Sequence, residues 1–163
     1  MIRSLAVLAA LLSACAAPAV EEPPPVEVDV LPTVEGLVPS VDLDSSDDVA
    51  EYAMTVRAAD VELVTGQTVE AWTFDGMTPG PLLQARRGQL VRVHVTNDLD
   101  EPTTVHWHGL RIAVEMDGVV MGSIPAIAPG ETFTYEFTPP DAGTFWYHPH
   151  VRSAVQVEAG LYG

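Results

Sequence analysis

Residues Gly143–Gly163 read GTFWYHPHVRSAVQVEAGLYG. The run Thr144–His148 is rich in aromatics, a composition that suits a buried strand. Pro149 has no N–H to give a ladder, so the regular strand ends there, and His148 and His150 fall at the sheet's end, where a loop begins. Val151–Ala159 is the one segment with a hint of helical period, enough for a short turn of helix.

Working outward, the segments upstream repeat the strand texture. Pro129-Gly130 opens Thr132–Thr138, whose Phe133, Tyr135 and Phe137 share one face. In Leu90–Thr96, Val91, Val93 and Val95 alternate with Arg92 and His94, so His94 points away from the valine face, toward solvent. Further strands are predicted over Ala53–Leu63, Val69–Phe74, Leu82–Ala85 and Thr103–Ile112, with the chain bending at Thr78-Pro79-Gly80-Pro81. Short β-branched and aromatic runs separated by turn residues, over a span of about 110 residues, indicate an all-β chain folded as an antiparallel sandwich or barrel.

The Thr103–Ile112 strand carries a second histidine pair, His106 and His108, in TVHWHGL. Four of the five histidines thus lie in two His-X-His units. Residues i and i+2 of a strand point to the same side with roots roughly 7 Å apart, while Trp107 turns the other way, toward the core. One such unit alone is weak evidence and reads more simply as two half-buried structural histidines. Two units on paired strands would gather four neutral imidazoles without carboxylate or thiolate, a set suited to copper or zinc. A zinc hydrolase would want three ligands and a general base. The chain has no His-Glu-X-X-His helix, and Glu115 lies past the strand.

Composition narrows the partners. The 163 residues include 23 Asp and Glu against 7 Arg and no Lys, a formal net charge of -16. Such a surface repels nucleic acid and anionic lipid. Cys15 is the only cysteine, which excludes an intrachain disulfide, a thiolate metal cluster and a blue copper site built from the rest of the chain.

The amino-terminal third differs in character. Residues 1–14 place Arg3 before the apolar run Leu5–Leu12, too short to span the roughly 30 Å of a bilayer's hydrocarbon, and read as a signal peptide. Leu12-Ser13-Ala14-Cys15 resembles the lipobox of bacterial lipoproteins, in which the peptide is cut before the cysteine and its sulfur is lipidated; ordinary secretion with a small-residue cleavage site is the alternative. Either way the mature chain is expected outside the cytoplasm, as a lipid-anchored protein of the bacterial cell envelope in the first case. Residues 15–51 hold Pro23-Pro24-Pro25, ten acids from Glu21 to Glu51 and no base, and read as a disordered, self-repelling tether. The folded domain is then 52–163.

Taken in order, TPGPLLQARRGQLVRVHVTNDL, TVHWHGLRI, the MDG of Met116–Gly118, IAPGETFTYEF, AGTFWYHPH and QVEAGLYG resemble the amino-terminal cupredoxin (plastocyanin-like) domain of the laccase-like multicopper oxidases. The resemblance runs from about Val69 to the last residue. It implies a cupredoxin-like Greek-key β-sandwich and copper as cofactor. It further implies that His106 binds the type 2 copper, that His108 binds one type 3 copper, and that His148 and His150 supply one ligand to each type 3 copper. Asp117 matches an acid that, in bacterial relatives, helps deliver protons during oxygen reduction; a turn residue before Gly118 is the equal alternative. The family completes this trinuclear site from a carboxy-terminal domain that also carries the blue copper, and continues past GLYG into a further apolar strand.

These implications set the functional expectations. The first is the amino-terminal, copper-binding piece of a truncated multicopper oxidase. It would supply four histidines to a cluster that reduces O2 to water while a reducing substrate is oxidised at a blue copper in the missing domain, and would be inactive alone. A second is a non-catalytic envelope protein that stores or delivers copper. A third is a subunit whose missing ligands come from another chain. Nitrite reduction is disfavoured, because its first domain would need the blue-copper cysteine.

Overall fold

The computed structural model describes residues 36–120 and 125–163. Residues 1–14, Cys15 and the first part of the acidic stretch, with the signal peptide, lipidation site and tether expected there, lie outside the described residues. Seven elements carry the fold proper: β1 (Val49–Val64), β2 (Gln67–Phe74), β3 (Leu90–Asn97), β4 (His106–His108), β5 (Thr132–Phe137), β6 (Trp146–His148) and the short helix α1 (Ser153–Glu158).

They form a four-stranded sheet in the order β2-β1-β3-β5 and a two-stranded sheet pairing β4 with β6. The larger sheet is mixed and not purely antiparallel as the sequence suggested. β1 and β2 form an antiparallel hairpin, but β3 runs parallel to β1, Tyr52 opposite Val93. A long connection from Asp75 to Gln89 carries the chain back to start β3 beside the start of β1, as a parallel pairing demands.

Strand alternation builds the core. Ala50, Tyr52, Met54 and Val56 of β1, Val91, Val93 and Val95 of β3, and Tyr135 and Phe137 of β5 are buried on one face. The small sheet covers that face with Trp107 and Tyr147. The Trp107 ring lies 5.4 Å from Tyr135 and 5.1 Å from Phe137, and Tyr147 lies 5.0 Å from Phe74. Edge and tilted contacts of this kind add to the burial of large aromatic area. The result is a two-layer, cupredoxin-like β-sandwich.

Three local expectations are corrected. β1 begins at Val49, not Ala53, because Ala50 continues the buried period upstream into the acidic stretch. Leu82–Ala85 makes only a bridge from Leu82 to Pro39: the Leu82 N–H donates to Val38 O at 2.8 Å and Leu82 O accepts from Ser40 N–H at 2.9 Å. Residues 38–40 therefore pair with the domain through these two main-chain hydrogen bonds. The Thr103–Ile112 strand shrinks to three residues: upstream Thr103 bridges to Ile127 instead, and downstream Gly109 takes a φ of +89° and turns the chain out of the ladder.

Candidate metal centre

The β4–β6 ladder sets the site. Its register puts His106 opposite His148 and Trp107 opposite Tyr147. Alternation then sends Trp107 and Tyr147 into the core and both histidines to the other face. His106, His108 and His148 gather there, with one ring nitrogen from each within 4.8 Å of the others. His150 joins them from beyond the strand, its ring 4.6 Å from that of His106 and 5.3 Å from that of His148. All four histidines singled out from the sequence converge on one face.

Hydrogen bonds orient the imidazoles. His106 Nδ1 lies 2.6 Å from the main-chain oxygen of Asp117. A carbonyl only accepts, so Nδ1 carries the proton and Nε2 keeps its lone pair for a metal. The same logic applies to His148, whose Nδ1 donates to Pro149 O at 3.1 Å. His148 Nε2 then faces His108 Nδ1 at 3.2 Å. Two nitrogens at about 2.0–2.1 Å from one ion at a tetrahedral angle lie about 3.3 Å apart, so this pair already has the spacing of ligands on one cation. The proton they share is the one a cation would displace.

Electrostatics favour the neutral rings that ligation needs. Burial, partly offset by the hydrogen bond to Pro149 O and reinforced by the neighbouring histidines, holds the His148 pKa below its ordinary value. His150 is lowered by the same causes, partly offset by the Asp117 carboxylate. An all-imidazole set without thiolate or bound carboxylate fits copper.

Asp117 comes to the site twice, through its carbonyl and through a carboxylate oxygen 3.4 Å from His106 Nδ1. Gly118 makes this possible. It sits at a φ of +76°, and a Cβ there would lie 1.8 Å from Val105 O and 2.8 Å from His106 N, so only glycine lets the MDG turn press onto β4.

Two residues near the site were not singled out from the sequence. Trp146, in a run expected to be buried, is 43% exposed and stacks on His148 with ring centroids 4.0 Å apart; the period of two puts residues 146 and 148 on one face, which was the available clue. Thr104, two residues before His106, accepts the His150 N–H at 3.0 Å. His94, expected in solvent, is half-buried and bridges Glu51 Oε1 at 2.8 Å and Thr134 Oγ1 at 2.9 Å on the outer face of the large sheet. It takes no part in the site.

Comparison with known proteins agrees with this geometry. The family model described as multicopper oxidase matches residues 55–163. The chain is 43% identical over 109 residues to multicopper oxidase MmcO of Mycobacterium tuberculosis, covering 67% of this chain and 21% of that protein. It is 42% identical over 113 residues to a copper resistance protein A homolog of Pseudomonas syringae pv. tomato, covering 69% of this chain and 19% of that protein. Among solved structures, a multicopper oxidase from Pseudomonas thermotolerans is similar with a TM-score of 0.68 at 48% identity, over 71% of this chain and 28% of that one. The chain thus spans about a fifth of the length of these curated relatives. The family model's match extends across both histidine pairs, and the chain belongs to the multicopper oxidase family as a copper-binding domain of cupredoxin-like fold.

Proposed function

We propose that this chain supplies four ligands, His106, His108, His148 and His150, to a trinuclear copper cluster, His106 to the type 2 ion and the other three to the type 3 pair. The observation that carries the reading is the 3.2 Å contact between His108 Nδ1 and His148 Nε2, on a face where His106 and His150 complete a group of four imidazoles. When bound, copper supplies the one-electron chemistry that takes O2 to water with electrons from a reducing substrate, which enter at a blue copper outside this chain.

The chain's own residues bind, orient and handle protons. The Asp117 and Pro149 carbonyls fix two imidazole tautomers. Trp146 lies flat on His148 and restricts water on that side. The Asp117 carboxylate, half-buried beside His106, is placed to relay protons between solvent and the site. His108 and His150 are exposed and face outward, so further ligands reach the cluster from another cupredoxin domain or another chain.

The same reading places the protein outside the cytoplasm, anchored by lipid on Cys15. The lipobox-like LSAC and the acidic stretch after it support that placement. Among the described residues no helix is long and apolar enough to cross a membrane.

The test is cupric-ion titration of the purified chain beside His106→Ala and His148→Ala. Specific binding that both substitutions abolish supports the reading. Binding unchanged in both would transfer the ions to the acidic surface and sink it. No intense blue absorption accompanies loading, because the described residues include no cysteine.

A further inference from the structure

His150 lies beyond Pro149, outside the β4–β6 ladder, so strand pairing does not fix it. A different set of contacts does. Thr104 Oγ1 accepts the His150 N–H at 3.0 Å. One residue earlier, Thr103 Oγ1 donates to Gln156 Oε1 at 2.8 Å. The Gln156 amide in turn donates to Glu101 Oε1 at 2.8 Å and to Pro102 O at 2.9 Å. Thr103, Thr104 and Gln156 are all fully buried. Consecutive residues leading into β4 therefore grip both ends of the segment from His150 to Gln156.

That segment needs holding. Arg152 adopts a left-handed φ of +44°, which a side-chain-bearing residue keeps only when its surroundings enforce it. Glu101 binds the Arg152 guanidinium as well as Gln156. Filling this volume would take only an apolar side chain. A buried amide with both its N–H donors satisfied instead fixes an orientation, because any slip leaves a donor unpaired in a low-dielectric interior.

We propose that Gln156 and Thr104 are positioning residues for His150: a buried polar clamp sets this ligand's place relative to His106, independently of the strand ladder. The inference rests on the copper reading of the site for its consequence, but the clamp itself acts in the metal-free protein.

Two measurements on the full chain separate these. The first is the order of the His150 imidazole, by ring NMR relaxation without metal. The second is cupric-ion affinity. Thr104→Val, isosteric and lacking the acceptor, and Gln156→Leu should each loosen the His150 ring and weaken affinity about 10–100-fold, the usual cost of losing a ligand's supporting partner. Thr104→Ser should keep both within about twofold, and in a His150→Ala background Thr104→Val should cost nothing further, because the two act through one group. A ring as ordered in Thr104→Val as in the native chain overturns the proposal, as does an equal affinity loss in both backgrounds. Should Gln156→Leu not fold, the Thr104 pair decides alone. A loosened ring in a chain whose copper binding ignores the histidines leaves the clamp standing and removes the copper reading instead.

Discussion

At the scale of single residues, the centre depends on close approach and on main-chain acceptors. Gly118→Ala must relieve a Cβ 1.8 Å from Val105 O while holding a positive φ. We expect a loss of about 1–3 kcal/mol or more in chemical denaturation, and weaker copper binding as the MDG turn lifts from β4. Asp117→Asn separates the two roles of that residue. The His106 tautomer is fixed by the carbonyl, which the substitution keeps, so copper affinity should stay within about threefold, well short of the cost of losing a ligand's orienting partner. On the proposed relay role, oxygen reduction measured with the missing ligands supplied should fall, since an amide cannot relay a proton. A large affinity loss would assign Asp117 a binding role. The four histidines were legible as residues, because two His-X-His units stand out in any strand reading. The atoms that orient them were not, because a carbonyl at residue 117 leaves no mark in side-chain chemistry.

At the scale of elements, alternation was informative and partners were not. The valines of β3 and the aromatics of β5 fell on the faces the sequence assigned them. The strand expected at Leu82–Ala85 failed because among the described residues its main-chain pairing is a bridge to the short run 38–40, and the run around Trp146 is exposed because the small sheet covers the core with one face only. The end of β2 offers a test of another kind. Asp75 follows β2 at a φ of +56° and accepts the Thr55 N–H at 2.7 Å. Burial, its main influence, raises its pKa above the ordinary 3.8, partly offset by that hydrogen bond and by Arg57. A carboxyl whose folded value lies above its unfolded one stabilises the fold fully below the unfolded value, and that contribution is lost as pH rises through the folded value. Asp75→Asn keeps the acceptor and a residue that tolerates the left-handed region. Its melting midpoint should exceed the native one at pH 7, and the advantage should vanish near pH 3. An advantage independent of pH would mean that charge burial is not the cause.

At the scale of the whole molecule, the sandwich brings two distant stretches of sequence onto one face, and that face is where metal binding should register in stability. An ion that binds only the folded chain adds about 2.7 kcal/mol at a hundred times its dissociation constant. For a domain of this size that corresponds to a rise of about 10 °C or more in melting midpoint. His106→Ala should abolish most of the rise; an equal rise in that variant would indicate adventitious binding to the acidic surface. The sandwich itself was legible because hydrophobic alternation and turn residues act locally. The parallel pairing of β1 with β3 was not, because it depends on where a long connection returns the chain. Whether these imidazoles form a preorganised copper site is decided by X-ray absorption at the copper edge of the loaded chain. A preorganised site gives a nitrogen first shell with the outer-shell scattering of several imidazoles, lost in a His106→Ala, His148→Ala double variant. An oxygen shell without imidazole scattering, unchanged in that variant, would contradict it.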